Sequence, residues 1–187
     1  PMGFKELEGI HSRTDFDLGN HEKFSGKKLR YFDTETNESY VPYVLETSIG
    51  LDRMFLAILS AAYTAEPLET GETREVLRIP APLAPVKVAV LPLIKKDGLP
   101  EKARAIIHGL KLSHNCQYDD KDSIGKRYRR QDAIGTPYCI TVDHDTLNDD
   151  AVTIRERDSM QQERVKIDEV ERIVGEKVDM KELLGRL

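Results

Sequence analysis

Residues 86–93, Val86-Lys87-Val88-Ala89-Val90-Leu91-Pro92-Leu93, interrupt their apolar run only at Lys87. A short continuous run of this kind reads as a buried strand. Pro100 then opens a helix that extends to about Leu112, because proline suits the first helical position, where its missing amide costs nothing. The alternation continues downstream. Residues 116–118 read as a short strand, 123–134 as a helix and 138–142 (YCITV) as a strand. Residues 151–156 read as a strand reached through the turn Asn148-Asp149-Asp150, which suggests a hairpin. Residues 164–167 suit a last short strand. Asp168 is expected to cap a final helix, with Glu171 three residues on and an apolar stripe of Val170, Ile173 and Val174. The order β-α-β-α-β-β-α predicts an α/β fold, a mixed β-sheet flanked by helices.

Working back from this core, Pro80, Pro82 and Pro85 follow a polar, acidic stretch at residues 64–74. Prolines lack an amide donor and hold the preceding residue away from helix, so the two stretches together suit a stiff connection. Before it, residues 41–46 are strand-like and residues 53–63 (RMFLAILSAAY) are apolar on nearly every face. Such a helix has to be enclosed by other protein, and little else in the first 85 residues can enclose it. The front part is therefore expected to be a slice of a larger domain, and the chain a fragment, since it begins at Pro1 and Met2 is a poor initiator.

With 187 residues, 39% hydrophobic and 33% charged, the composition is that of an ordinary globular chain. The net charge of −5 argues against indiscriminate coating of nucleic acid but leaves room for a local basic site. No apolar run approaches the roughly 18 residues of a membrane span. Cys116 and Cys139 have no Cys or His companions at metal-ligand spacing, so no metal site is expected and a reduced, cytoplasmic setting is.

Three stretches carry chemistry. Residues 46–53 (ETSIGLDR) lead from a strand through Gly50 into the apolar helix, with Arg53 on its first turn. A helix N-terminus favours an anion and arginine suits phosphate or a base, although a packing glycine beside a surface arginine would look the same. Residues 6–18 (ELEGIHSRTDFDL) crowd carboxylates, His11 and Arg13 together. Glu6 and Glu8 on one strand face would suit a cation or an amine, and a solvated loop is the plain alternative. Residues 121–130 hold Lys121, Lys126, Arg127, Arg129 and Arg130 against the single Asp122. A cationic helix of this kind suits a phosphate backbone with Tyr128 as a stacking surface, or else a charged outer face with Tyr128 turned inward.

Taken together these motifs resemble a known family. ETSIGLDR followed by an apolar helix is similar to motif 3 of class II aminoacyl-tRNA synthetases, and the Glu-Thr-Ser lead-in resembles the glycyl-tRNA synthetase family of bacterial, dimeric type. ELEGIHSRTDFDL resembles part of that family's active site. APVKVAVLPL, DSIGKRYRRQDAIGTPYCITVD and TIRERDSMQQ look like its anticodon-binding domain. The resemblance implies a partial catalytic domain over residues 1–79, an antiparallel sheet with the motif 3 helix, and an anticodon-binding domain over residues 80–187. It implies ATP contacts by Glu6, Leu7, Gly50, Leu51, Asp52 and Arg53, and a glycine pocket formed by Glu46, Thr47, Ser48, Ile49 and Gly50. It places tRNA contacts on Lys126, Arg127, Arg129 and Arg130. The implied reaction forms glycyl-adenylate from glycine and ATP, with Mg²⁺ in the intact enzyme, and transfers glycine to tRNA-Gly; no general base is named. Motifs 1 and 2 of the family, which supply the dimer interface and the main ATP-binding arginine, are missing, so this chain alone is expected to be inactive and its parent a homodimer. The alternative is a noncatalytic nucleic-acid-binding relative such as a polymerase processivity subunit.

Overall fold

A computed structural model describes residues 3–68 and 71–185 and divides the chain into two compact units, residues 1–57 and 58–187. In the first unit, β1 (Glu8–Thr14) is followed by α1 (Phe16–Ser25), β2 (Tyr31–Asp33), β3 (Glu38–Tyr40) and β4 (Val44–Ile49). β1 and β4 form one antiparallel ladder, β2 and β3 another, with Tyr31 edge-on to its cross-strand partner Tyr40. α2 (Leu51–Ala62) starts in this unit and ends in the second. Gly9 is the one buried residue among the described positions up to 57. Large apolar side chains such as Phe24, Leu45, Leu51 and Phe55 are exposed. Among its described residues the unit is held by backbone pairing and buries no bulky side chain.

The second unit opens with an antiparallel hairpin, β5 (Tyr63–Pro67) and β6 (Thr73–Leu77), and a 3₁₀ turn at Ala81–Leu83. The polar stretch read as a connection thus pairs strand to strand, apart from residues 69 and 70, which lie outside the described residues. There follow β7 (Val88–Pro92), α3 (Leu99–Leu110), β8 (Cys116–Tyr118), α4 (Ile124–Ile134), β9 (Tyr138–Val142), α5 (Thr146–Asp149), β10 (Ala151–Glu156), β11 (Gln162–Lys166), α6 (Ile167–Lys177) and α7 (Met180–Leu184). Five strands make one mixed sheet in the order β11-β10-β9-β7-β8, with β7 parallel to both β8 and β9 and the β9-β10-β11 side antiparallel. The expected α/β architecture is present. The Asn-Asp turn before β10 includes the short helix α5, and β10 still returns beside β9. Lys166, not Asp168, caps α6, whose first turn carries Asp168 and Glu169.

Alternation along β7 explains its unbroken apolar run. Val88 and Val90 join a large core with Leu99, Ala103, Ile106, Ile107 and Leu110 of α3 and Val170 and Val174 of α6. Ala89 and Leu91 face the opposite side, where Cys139, Ile124 and Tyr128 cover them. A strand covered by helices on both faces has no position for a polar residue. Each fully buried Leu, Ile or Val adds roughly 1.5–3 kcal/mol.

On the α4 side, the helix buries a polar face, Arg127, Gln131 and Asp132. Asp132 accepts from Arg155 through both carboxylate oxygens at 2.9 and 3.0 Å, and from Arg74 Nε of β6 at 2.8 Å. Arg74 also donates to Glu66 at 2.9 Å and to the Arg157 carbonyl, and its own charge is favoured by Asp132 and Glu66 against the burial that opposes it. Arg157 in turn donates to the carbonyls of Leu77, Gly135 and Ile79, each at 2.9 Å. Three buried arginines and one carboxylate thereby fasten the β5–β6 hairpin to α4 and to the end of β10.

Removing one partner of a buried charge network strands the others, at a cost of about 3–5 kcal/mol. Asp132→Ala is therefore expected to lower the unfolding free energy by that much, seen in chemical unfolding as a lower denaturant midpoint at unchanged slope; a loss below about 1 kcal/mol would contradict this role. Burial also pushes the Cys139 thiol up to about 12 and the Cys116 thiol up to about 11, from an ordinary value near 9. Their contribution to stability is complete below pH 9 and is lost as pH rises through the folded values, by about 1.4 kcal/mol per thiol per pH unit. Unfolding measured from pH 8 to 11 should show a shallower alkaline loss for Cys139→Ala than for the unmodified chain, and parallel curves would refute it.

Candidate functional site

Two clusters of expected site residues lie in different units. In the first, Gly9 stands opposite Ser48, Ile10 opposite Thr47 and His11 opposite Glu46 on the β1–β4 ladder. The Gly50 amide donates to the Leu7 carbonyl at 3.4 Å, and α2 begins at the next residue. Arg53, on the first turn, donates to the Glu6 carbonyl at 2.7 Å, tying the helix start to the segment that leads into β1. Glu6, Leu7, Ser48, Ile49, Gly50, Leu51, Asp52 and Arg53 line one wide-mouthed groove of about 590 Å³. Backbone amides at a helix start beside an arginine make this groove chemically suited to a phosphate-bearing ligand.

Glu46 and Thr47 lie farther along β4 and do not line it. Glu46 is 3.2 Å from Arg13, which Asp17 holds more closely at 2.5 and 2.9 Å. The hydrogen bond to Asp17, then the charges of Asp17 and Glu46, raise the Arg13 pKa above its ordinary value. Glu6 precedes β1, so the strand face expected to be shared by Glu6 and Glu8 is not formed. A Cβ on Gly50 would meet only Arg53 side-chain carbons at 3.5–3.7 Å, so this glycine is not required by crowding. A Cβ on Gly9 would meet only the His11 ring, the end of an exposed side chain that can turn aside, so crowding does not require this glycine either. Among the described residues no three Asp, Glu, His or Cys side chains converge on a point. Mg²⁺ at nucleotide sites is commonly held by one or two carboxylates together with substrate phosphates, which needs no such cluster.

The second cluster is on α4. Arg127 is turned inward and 2% exposed. Its guanidinium donates to the Pro92 carbonyl, and to those of Leu93 and Asp122 at 3.1 Å each, while its Nε is buried without a partner among the described residues. This departs from the expected phosphate contact: a side chain committed to main-chain carbonyls at the end of β7 cannot reach a ligand in solvent. Tyr128 is also inward, its hydroxyl sharing a 2.5 Å hydrogen bond with Thr141 and its ring lying under Arg155 at 4.7 Å. Of the two readings for Tyr128, packing holds and the stacking surface does not.

Lys126, Arg129 and Arg130 face outward and, with Thr73, Glu75 and Ala133, line an open groove of about 390 Å³ between α4 and β6. Arg129 pairs with Glu72 at 2.6 Å, and Arg130 with Asp119 at 2.7 Å and Asp122 at 2.7 Å. The hydrogen bonds Arg130 donates to Asp119, then to Asp122, raise its pKa above the ordinary value. The local positive excess is thus partly met by carboxylates, two of which, Glu72 and Asp119, the linear reading of residues 121–130 left out. Such exposed pairs are worth about 0–1 kcal/mol, so an incoming phosphate can replace them.

Sheet topology adds a location. From β7 the chain crosses to one neighbour, β8, and then to the other, β9. Ligands of open α/β sheets bind outside the carboxyl ends of strands at such a switch. The loops there carry Lys95, Lys121 and His144, and α4 starts beside them.

With this geometry in place, comparison with known proteins is specific. Residues 87–177 match the family described as anticodon binding domain. The chain is 53% identical over 178 residues to the glycine--tRNA ligase of Chlorobaculum tepidum and 56% identical over 178 residues to that of Clostridium acetobutylicum. Against that of Acetivibrio thermocellus it is 55% identical over 170 residues. These alignments cover 95%, 95% and 91% of this chain but 38%, 38% and 36% of the relatives, so the chain spans under two-fifths of their length. In fold it is similar to the RNA binding domain of threonyl-tRNA synthetase from Cryptosporidium parvum Iowa II, with a TM-score of 0.60 over 80% of this chain and 35% of that one, at 19% identity. Residues 87–177 thus match the anticodon binding domain family, within a chain similar to part of the glycine--tRNA ligases along nearly all of its length.

Proposed function

We propose that this chain is the part of a glycine--tRNA ligase that supplies one wall of the nucleotide site and the whole anticodon-reading module. One observation carries the reading: a phosphate-suited groove ending in Arg53 precedes an anticodon binding domain in a single chain homologous to these ligases. In the intact enzyme, Arg53 and the backbone at Gly50, Leu51 and Asp52, with Glu6 and Leu7, contact ATP. Glu46 exchanges Arg13 for the glycine ammonium, while Thr47, Ser48, Ile49 and Gly50 shape a pocket that excludes larger side chains. That exclusion has to be steric, because an added methylene in a permissive pocket discriminates by only about 1–3 kcal/mol. Attack of the glycine carboxylate on the α-phosphate releases pyrophosphate and forms the adenylate, and the tRNA terminal hydroxyl then displaces AMP. Positioning and charge neutralisation carry such chemistry. The full enzyme acts in the cytoplasm as a homodimer, and residues 1–79 and 80–187 are its functional divisions here. A noncatalytic processivity subunit is disfavoured by relatives that bear a ligase's name.

On the RNA side, Lys126, Arg129 and Arg130 contact the tRNA backbone while unpaired anticodon bases enter at the carboxyl ends of β7, β8 and β9. Arg127 supports the site from within without touching RNA. Replacing Lys126, Arg129 and Arg130 together by alanine should lower the slope of log affinity against log salt for tRNA-Gly by about 2, as expected for three lost phosphate contacts to single-stranded RNA. An unchanged slope would remove this face from the interface. Arg127→Ala should instead lower the thermal midpoint and leave that slope alone.

A further inference from the structure

The loop from Asp119 to Asp122 is gripped from two sides. Arg130 binds Asp119 and Asp122, as described above. On the other side Asp120 lies 3.3 Å from Lys95 and 4.0 Å from Arg104, and accepts the Tyr118 hydroxyl at 3.2 Å. The Arg104 guanidinium lies over the Tyr118 ring, 4.4 Å from its centroid. Tyr118 is the last residue of β8 and stands opposite Val90 of β7, so the pair sits at the carboxyl ends of the two parallel strands. Lys95 and Arg104 are 58% and 64% exposed, whereas Tyr118 is half-buried.

A guanidinium centred 4.4 Å over an aromatic ring and 64% exposed has one side covered by that ring and the other toward solvent. Its orientation is fixed in advance by the ring beneath and by Asp120 at its edge. A preset plane with delocalised charge is a stacking surface for a nucleobase, and such stacking tolerates any base because each has a π-face. A phosphate contact would need no ring beneath the cation, as an extended lysine serves equally well. Beside the plane, Lys95 offers a cation to the backbone of the same nucleotide, and the two cations exceed the one carboxylate that holds them. Burial first, and then the Asp120 charge, keep the Tyr118 hydroxyl protonated as a donor.

We infer that the stacked pair Arg104–Tyr118, set by Asp120, is a base-stacking platform for one unpaired nucleotide of the bound RNA. The inference rests on the proposed tRNA reading and assigns a residue that neither the sequence motifs nor the basic face of α4 include. Arg104 is a binding residue in this role, and Tyr118 and Asp120 are positioning residues.

The test uses the full chain, tRNA-Gly transcripts and a set of the same transcripts with single abasic replacements through the anticodon loop. Arg104→Ala should weaken binding of the intact transcript about tenfold, and Arg104→Lys, which keeps the charge without the plane, should weaken it nearly as much with an unchanged salt slope. One abasic transcript should lose about tenfold against the unmodified chain and nothing further against Arg104→Ala. Full rescue by Arg104→Lys, or losses that multiply on every abasic transcript, would overturn the platform and leave the tRNA reading intact. Failure of the unmodified chain to bind tRNA-Gly would overturn both. Arg104 is exposed, so matching thermal midpoints should accompany all variants.

Discussion

The carboxylate of Asp132 is the constraint on which the second unit depends. It is 1% exposed, and it faces two guanidinium groups from segments 58 and 23 residues away. A buried carboxylate is tolerable only with its charge met and its lone pairs filled, and the bidentate Arg155 and the lateral Arg74 do both. The consequence is geometric. Fixing Asp132 fixes the inner face of α4, hence the direction in which Lys126, Arg129 and Arg130 point; fixing Arg74 brings β6 alongside to form the other wall of their groove. Arg127 applies the same logic at the start of α4, where it holds main-chain carbonyls at the end of β7. Cations that look alike in sequence thus divide into inward ones that build the site and outward ones available to a ligand.

The first unit is organised differently. Its groove depends on a two-stranded ladder and one arginine-to-carbonyl hydrogen bond, with no buried apolar cluster behind it among the described residues. Local pairing is enough to bring Glu6 and Leu7 beside residues 48–53, which are more than 40 positions away. It is not enough to free Glu46, whose carboxylate lies 3.2 Å from Arg13. Two physical regimes therefore coexist in the chain, a densely packed module and a site held mainly by its backbone.

Much of this was legible in the sequence. The unbroken run at residues 88–92, the Pro100 helix start and the strand at 138–142 report burial and backbone preference directly, and they place the sheet. The groove residues Glu6, Leu7 and Ser48–Arg53 followed from motif resemblance and come together. What stayed hidden was pairing over distance. Nothing at residues 64–74 announces a strand, because its stability comes from Arg74 reaching Asp132. An arginine's sequence context does not say whether its partner is a carbonyl below or water above, so Arg127 and Arg129 read alike. The Lys95, Arg104, Tyr118 and Asp120 grouping is assembled by the sheet's carboxyl edge and has no linear signature at all.

We propose that residues 80–187, set by the Asp132 network, form the module that reads an anticodon. Its most direct test is binding of this chain to tRNA-Gly beside the same tRNA carrying a replaced anticodon, at near-physiological salt. The account predicts clearly tighter binding of the native anticodon, with both affinities falling as salt rises. Equal affinity for the two RNAs would contradict it and reduce the basic groove to a nonspecific surface.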